Sequence, residues 1–123
     1  MKSRLIVTLM AACALALMVG CSGADAPEKV VERCWEHLAE GEYAKAVALM
    51  NVSAEQVQLY QSIYAEQSGE LQRAGGVKNF ELLGSSVGAE EATIEAAVVL
   101  ADGQRIEATY KLVLTDEGWR ITE

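Results

Sequence analysis

Apolar residues follow two different periods along the chain, and the period changes near Gly76. Upstream, between Pro27 and Leu71, they recur at steps of three and four residues, which is typical of amphipathic helices. Downstream they alternate with polar residues, which is typical of strands with one buried face. The pattern therefore predicts helices in the first half of the domain and a sheet in the second.

Three helices are predicted. The first begins at Pro27, which suits a first helical turn, and ends at Gly41, which can adopt the left-handed conformation of a C-terminal cap. The second runs from Tyr43 to Met50. The third follows the capping box Ser53-Ala54-Glu55-Gln56 and is stopped by Gly75-Gly76.

Four strands follow, with hairpin turns at Asp102-Gly103 and Asp116-Glu117-Gly118. The alternation assigns the following positions to the inner face of the sheet: Phe80, Leu82, Ile94, Ala96, Val98, Leu100, Ile106, Ala108, Tyr110, Leu112 and Leu114. Helices followed by an antiparallel meander predict a single α+β domain over residues 27–123. In that domain the three N-terminal helices pack on one face of a curved, mainly antiparallel four-stranded sheet.

The first twenty residues have a different pattern. Lys2 and Arg4 precede an apolar run from Leu5 to Val19, and Gly20 separates that run from Cys21. This order of charged, apolar and small residues predicts a secretory signal over residues 1–20. As a helix the run would span about 22 Å, which is shorter than the hydrocarbon core of a bilayer, so a permanent transmembrane anchor is not expected.

Cys21 is the candidate modification site. Met18 stands three residues before it, where an ordinary signal peptidase site needs a small residue. The stretch Leu17-Met18-Val19-Gly20 before Cys21 instead resembles the lipobox of bacterial lipoproteins. The resemblance implies cleavage before Cys21, a diacylglyceryl thioether on its sulfur, and residues 21–26 as a lipidated tether. Two alternatives stay open, which are cleavage before Cys13 and an uncleaved apolar helix.

Ser22 and the charge balance bear on localisation. Resemblance to lipoprotein sorting signals implies that Ser22, next to the cysteine, directs the protein to the outer membrane, facing the periplasm, if the source is Gram-negative. The net charge is −8, and the loss of Lys2 and Arg4 with residues 1–20 would move it to −10. Because so acidic a chain is repelled by nucleic acid and by anionic lipid, we expect membrane attachment through the acyl chains and no nucleic-acid partner.

Two local motifs resemble a known family. The stretch Glu40-Gly41-Glu42-Tyr43-Ala44-Lys45-Ala46 after the first helix, and Gly118-Trp119-Arg120-Ile121 at the end of the chain, look like small bacterial lipoproteins of unknown function. Those proteins have a nuclear transport factor 2-like (NTF2-like), cystatin-related domain. The resemblance implies a cone-shaped space between helices and sheet, which enzymes of this superfold line with polar catalytic groups.

The inner face of the predicted sheet is poor in such groups. Its only polar atom is the Tyr110 hydroxyl, since Glu95 and Glu107 alternate outward. His37 is the single histidine and lies at the boundary between the apolar and polar faces of its helix. With Cys13 removed and Cys21 acylated, Cys34 would have no intramolecular cysteine partner, and its position suits a small buried apolar group. We therefore predict no catalytic residues, no metal site, no cofactor and no enzymatic activity.

Two binding features are predicted instead. Small residues on the inner face leave room for an apolar ligand pocket lined by Trp35, Tyr60, Tyr64, Ala96, Ala108 and Tyr110, unless helix side chains fill that space. On the outer face the apolar residues that interrupt the polar positions are Ala97, Val99 and Val113. They could form a homodimer interface or dock an envelope protein, or could be ordinary surface.

The function that follows is a membrane-anchored lipoprotein of the cell envelope that acts as a non-enzymatic binding or protein-interaction module. The alternative is a small-molecule carrier or enzyme that uses the apolar cone. Polar side chains on the inner face of the sheet distinguish the two functions, because an enzyme needs such groups in its active site.

Overall fold

The computed structural model describes residues 25–122. The first helix, α1 (Pro27–Ala39), begins where the carbonyl of Ala26 accepts hydrogen bonds from the N–H groups of Lys29 and Val30, at 3.0 and 3.1 Å. Asp25 is tied to the same helix by an ion pair with Arg33 at 3.2 Å. The last two residues of the predicted tether are therefore held against the domain. Cys21 and the predicted signal lie outside the described residues.

A tight turn connects α1 to the second helix, α2 (Tyr43–Val47). Gly41 adopts a φ of 82° there, which a residue with a Cβ rarely tolerates, and this confirms the predicted helix stop. The prediction that α2 reaches Met50 is wrong. The chain leaves the helix after Val47 because Met50 forms a parallel β-bridge with Ile121.

The third helix, α3 (Ala54–Arg73), starts at the predicted capping box, in which the N–H of Ser53 donates to Gln56 Oε1 at 3.1 Å. It packs mainly against α1 and α2. Only Ser68 and Leu71 are fully buried along its length, and the Ser68 hydroxyl donates to the Leu38 carbonyl of α1 at 2.6 Å. Its first half is consequently the more exposed half.

The sheet contains β1 (Val77–Val87), β2 (Glu91–Leu100), β3 (Arg105–Thr115) and β4 (Gly118–Thr122) in the order β1-β2-β3-β4. All neighbours are antiparallel, and the predicted turns connect β2 to β3 and β3 to β4. Two register shifts interrupt β1, one at Val77/Asn79 and one at Leu82/Gly84. The predicted α+β class, with three helices packed on a four-stranded antiparallel sheet, is confirmed.

The hydrophobic core lies between α1 and the centre of the sheet, where the register brings Ile94, Ala96 and Val98 of β2 beside β3. The helical residues of this core are Val30, Val31, Cys34, Leu38, Ala46 and Leu71. Leu82 and Leu114 were assigned to the inner face but are 48% and 45% exposed. Leu82 lies on the edge strand and Leu114 lies near the end of β3. Neither residue lies at the centre of the sheet, where α1 packs.

Candidate functional site

A cavity of about 740 Å³ opens between α1, α3 and the ends of β2 and β3. Its floor is formed by apolar and aromatic side chains, since the helical period of α1 and the alternation of β3 both aim such residues into this space. The floor residues are Cys34, Trp35, Leu38, Tyr64, Leu71, Ala74, Leu100, Ile106 and Tyr110. The volume falls in the range of small-molecule sites.

The two aromatic residues Trp35 and Tyr110 join opposite walls of the cavity. The indole Nε1–H of Trp35, on α1, donates to the hydroxyl oxygen of Tyr110, on β3, at 2.9 Å. Burial raises the pKa of Tyr110, and the hydrogen bond from Trp35 opposes that rise. The hydroxyl is therefore neutral and has its donor inside the protein, which leaves its own proton available to an acceptor.

The other polar atoms of the floor are also neutral. Burial raises the pKa of the Cys34 thiol to about 12, and a hydrogen bond with Tyr64 opposes the rise only in part. The pKa of Tyr64 is raised by burial first and then by the proximity of Cys34 and Tyr110. At neutral pH these three groups carry protons, so the floor offers hydrogen bonds but no charge.

The rim of the cavity is polar. Gln67, Glu70 and Arg73 come from the last turns of α3, and Asp102 and Gln104 come from the turn between β2 and β3. Asp102 accepts hydrogen bonds from the backbone N–H and the side-chain amide of Gln104, at 3.0 and 2.6 Å. These bonds lower the pKa of Asp102, with the backbone bond contributing most. The rim thus places fixed charges around a neutral floor.

The predicted pocket residues are divided by the structure. Trp35, Tyr64 and Tyr110 line the cavity, whereas Tyr60, Ala96 and Ala108 do not. Ala96 is 2% exposed and lies inside the packed core beneath α1. Tyr60 lies one turn before Tyr64, in the first half of α3, and no residue of that half lines the cavity.

The remaining lining residues were not predicted as a set. Leu71 lies in the last turn of α3 and Ala74 is its C-cap, while Leu100 and Ile106 flank the β2–β3 turn. The sequence signal for them was the helical spacing from Tyr64 to Leu71 and the predicted hairpin at Asp102-Gly103. Neither signal says that these two segments lie at the same end of the domain.

The predicted interface on the outer face needs a correction. Ala97 is 0% exposed, so it offers no surface to a partner. It faces Glu81 on β1 and Glu107 on β3, and the guanidinium of Arg105 pairs with both carboxylates, at 2.8 and 3.0 Å. This ion-paired group crosses the central strand and covers the small Ala97 side chain. Val99 and Val113 are half-buried.

His37 does not stand alone in the structure, although no metal site was predicted. Its Nδ1 lies 3.2 Å from Glu42 Oε1, and with Glu40 the three residues place ligand atoms within 4.8 Å of one another. Lys45 Nζ also pairs with Glu42 at 3.0 Å, and the hydrogen bonds from Lys45 and then His37 lower the pKa of Glu42. These three residues could hold a cation, but the Lys45 ammonium group already pairs with the Glu42 carboxylate and would repel a second cation there.

None of the helices within residues 25–122 is long and apolar enough to cross a membrane.

Comparison with known proteins identifies the fold. No protein-family model matches the chain, and no curated protein matches it significantly. Among solved structures, a crystal structure named "Putative NTF2-like transpeptidase", from Campylobacter jejuni, aligns with a TM-score of 0.70 and 18% identity. The alignment covers 80% of this chain and 99% of that chain.

Two further structures give the same result. A SEC-C motif containing protein from Rhodopseudomonas palustris aligns with a TM-score of 0.61 and 14% identity, over 80% of this chain and 76% of that chain. A de novo designed NTF2 fold protein aligns with a TM-score of 0.54 and 12% identity, over 82% of this chain and 87% of that chain. The described part of the chain therefore has the NTF2-like α+β fold.

Proposed function

We propose that this protein is a cell-envelope lipoprotein, anchored through acyl chains on Cys21, whose NTF2-like domain binds a small apolar or aromatic ligand in its cavity without transforming it. The observation that carries the binding proposal is the floor of the 740 Å³ cavity, which is apolar, aromatic and uncharged beneath a polar rim. A few fixed polar groups over a largely apolar wall are characteristic of small-molecule sites.

The floor favours a ligand that brings a hydrogen-bond acceptor to Tyr110. Because Trp35 already donates to this hydroxyl at 2.9 Å, the hydroxyl can donate its own proton to a ligand oxygen or nitrogen. The apolar remainder of such a ligand would contact Leu71, Leu100 and Ile106. The expected class is a molecule with an apolar or aromatic body and one carbonyl-like or hydroxyl-like acceptor.

A catalytic role is the alternative, and the name of the Campylobacter jejuni protein raises it. Acyl transfer of the transpeptidase kind needs an activated nucleophile. In the described cavity the candidate is Cys34, but burial raises its pKa to about 12 and no histidine lines the floor beside it. A thiol held in its protonated form is a poor nucleophile, which favours binding over catalysis.

The binding proposal is tested by native mass spectrometry of the full chain purified from its own membrane fraction. We expect a small molecule bound in one-to-one stoichiometry. Ala74→Phe places a ring in the cavity and should remove that molecule. Ala89→Phe, in the exposed turn after β1, should retain it. A folded wild-type chain that carries no small molecule, or equal occupancy in both variants, would contradict the proposal.

The anchoring proposal is tested by the intact mass of the protein from the same preparation. The expected species begins at Cys21 and carries the added mass of a diacylglyceryl group. Cys21→Ser should abolish both the added mass and membrane attachment. A mature species that retains Met1, or that lacks lipid mass, would sink the assignment while leaving the ligand proposal standing.

A further inference from the structure

The sheet has one open edge among the described residues. β4 is the outer strand on one side, but its edge is partly covered, because Ile121 donates to Leu49 at 2.9 Å and accepts from Asn51 at 2.7 Å. β1 is the outer strand on the other side, and no backbone group within residues 25–122 hydrogen-bonds to its free side. The backbone groups that point away from β2 along this eleven-residue strand therefore have no partner within residues 25–122.

The second half of this edge lacks part of the usual protection against strand pairing. Proteins guard free edges with charged residues, especially lysine, or with proline. The segment Leu82-Leu83-Gly84-Ser85-Ser86-Val87 contains no charged residue and no proline, in a chain whose net charge is −8. The register shift between Leu82 and Gly84 is the one protective irregularity in this segment. Its three large apolar residues are about half exposed, at 48%, 47% and 53% in chain order. Two copies of this acidic chain can therefore approach each other along the segment without bringing like charges together.

We propose that β1 pairs with β1 of a second copy of this chain, antiparallel about a two-fold axis near Ser85. Two-fold interfaces place the same segment on both sides, so a strand can complement itself only in this antiparallel sense. With Ser85 of one copy opposite Ser85 of the other, Ser86 lies opposite Gly84. Because the register shift between Leu82 and Gly84 leaves Leu83 as an extra residue, Val87 then lies opposite Leu82. Leu82 and Val87 both lie on the inner face of the sheet, because Ala96 and Ala92, which pair with them on β2 of the same chain, lie on that face.

Charge complementarity supports this orientation. Lys78 lies at one end of β1, while Glu90 and Glu91 follow its other end. Antiparallel pairing brings Lys78 of each copy toward the two glutamates of the other, twice per dimer. Parallel pairing would instead place Lys78 beside Lys78. The dimer therefore joins two four-stranded sheets into one continuous sheet.

The pairing is independent of the cavity and of the outer sheet face. No residue of β1 lines the cavity, so dimerisation and ligand binding involve different surfaces. On the outer face the ion pairs of Arg105 with Glu81 and Glu107 would have to be desolvated by a partner packing face to face. Pairing along the edge leaves them in solvent.

Cysteine cross-linking across the proposed axis tests the interface in the full chain, in membranes or detergent. Cross-strand Cα atoms lie about 4.5 to 5.5 Å apart, within the span of a disulfide. We expect Ser85→Cys to give a covalent dimer on mild oxidation. Ser62→Cys, which is also exposed but lies on α3, and the unmodified chain should give at least about tenfold less, which corresponds to about 1.4 kcal/mol of preference.

Two further sets of variants separate this pairing from random collision. Leu82→Lys with Val87→Lys should suppress the Ser85→Cys dimer about tenfold, whereas Leu59→Lys, on the exposed half of α3, should not. Lys78→Glu should weaken cross-linking, and adding Glu90→Lys with Glu91→Lys should restore it. Circular dichroism verifies that each variant is folded. Cross-linking no higher than in Ser62→Cys, or a covalent product with a different protein, would overturn the proposal.

Discussion

Trp35 and Tyr110 are 75 positions apart in sequence, and a 2.9 Å hydrogen bond from indole to hydroxyl joins them across the cavity. The bond joins α1 to β3 at the wall of the cavity. It also fixes the orientation of the Tyr110 hydroxyl, so the same contact serves the stability of the fold and the polarity of the proposed site.

Removing the hydroxyl should reveal this coupling. Tyr110→Phe leaves the half-buried indole N–H without its acceptor, and we expect the free energy of unfolding to fall by about 1 to 2 kcal/mol. Trp35→Phe should cost more, because it also removes packed volume. The double variant should be less destabilised than the sum of the two by about 1 kcal/mol.

Urea unfolding of the four proteins completes this cycle. Tyr43→Phe removes a hydroxyl from a tyrosine that is 39% exposed and should change stability by less than about 0.5 kcal/mol. Strict additivity between positions 35 and 110 would show that the bond does not form in solution.

The buried thiol of Cys34 predicts a loss of stability in alkali. Its pKa rises from 9.0 to about 12 in the folded protein, because burial disfavours the thiolate. The native state therefore retains the proton over a pH range in which the unfolded chain releases it. The contribution is fully present below pH 9.0 and is lost as pH rises toward about 12.

The expected slope from this group alone is up to about 1.4 kcal/mol for each pH unit above 9. Tyr64 acts in the same direction, because its pKa is also raised in the folded protein. Urea unfolding at a series of pH values measures the total, and Cys34→Ala should reduce the slope. An unchanged slope in that variant would contradict the assignment to the thiol.

Ser68 should contribute more to the stability of the fold than the small size of its side chain indicates. It is the buried polar side chain of the described core, and its hydroxyl donates to the Leu38 carbonyl at 2.6 Å. That carbonyl also accepts from the Gly41 N–H at 3.2 Å, so Ser68→Ala leaves it one partner. We expect a loss of about 1 kcal/mol in unfolding free energy.

Ser62→Ala, on the exposed side of the same helix, is the matched control and should change stability by less than about 0.5 kcal/mol. Because alanine has a higher helix propensity than serine, propensity alone would leave both variants at least as stable as the unmodified chain. A Ser68→Ala variant no less stable than Ser62→Ala would therefore contradict the contribution of the α3–α1 hydrogen bond.

Two glycines should respond to alanine with opposite signs. Gly41 has a φ of 82°, and an added Cβ would lie 3.0 Å from Gln72 Nε2, so Gly41→Ala should destabilise the domain by about 1 to 2 kcal/mol. Gly69 lies inside α3, where an added Cβ meets Arg73 only at an ordinary 3.5 Å. Gly69→Ala should stabilise by about 0.5 to 1 kcal/mol. Thermal unfolding measures both, and a stabilising Gly41→Ala would contradict the role of the left-handed turn.

The limits of sequence-based prediction are clear at α2 and at the outer face. Local spacing correctly predicted the helix start at Ser53 and the turn at Gly41, because both depend on neighbouring residues. It extended α2 to Met50, because the competing bridge from Met50 to Ile121 joins residues distant in sequence. It also treated Ala97 as exposed, since alternation assigns a face but not what covers that face.

The amino-acid sequence by itself determined the α+β class, the order of helices and strands, the turn positions and the apolar character of the inner face. These depend on periodicity and on backbone preferences that act over a few residues. Only the tertiary structure decided that the end of α3 and the β2–β3 turn enclose one cavity, that Trp35 donates to Tyr110, and that β1 keeps an open edge. Each of these depends on distances between elements, which packing of the whole core sets and which no local pattern specifies.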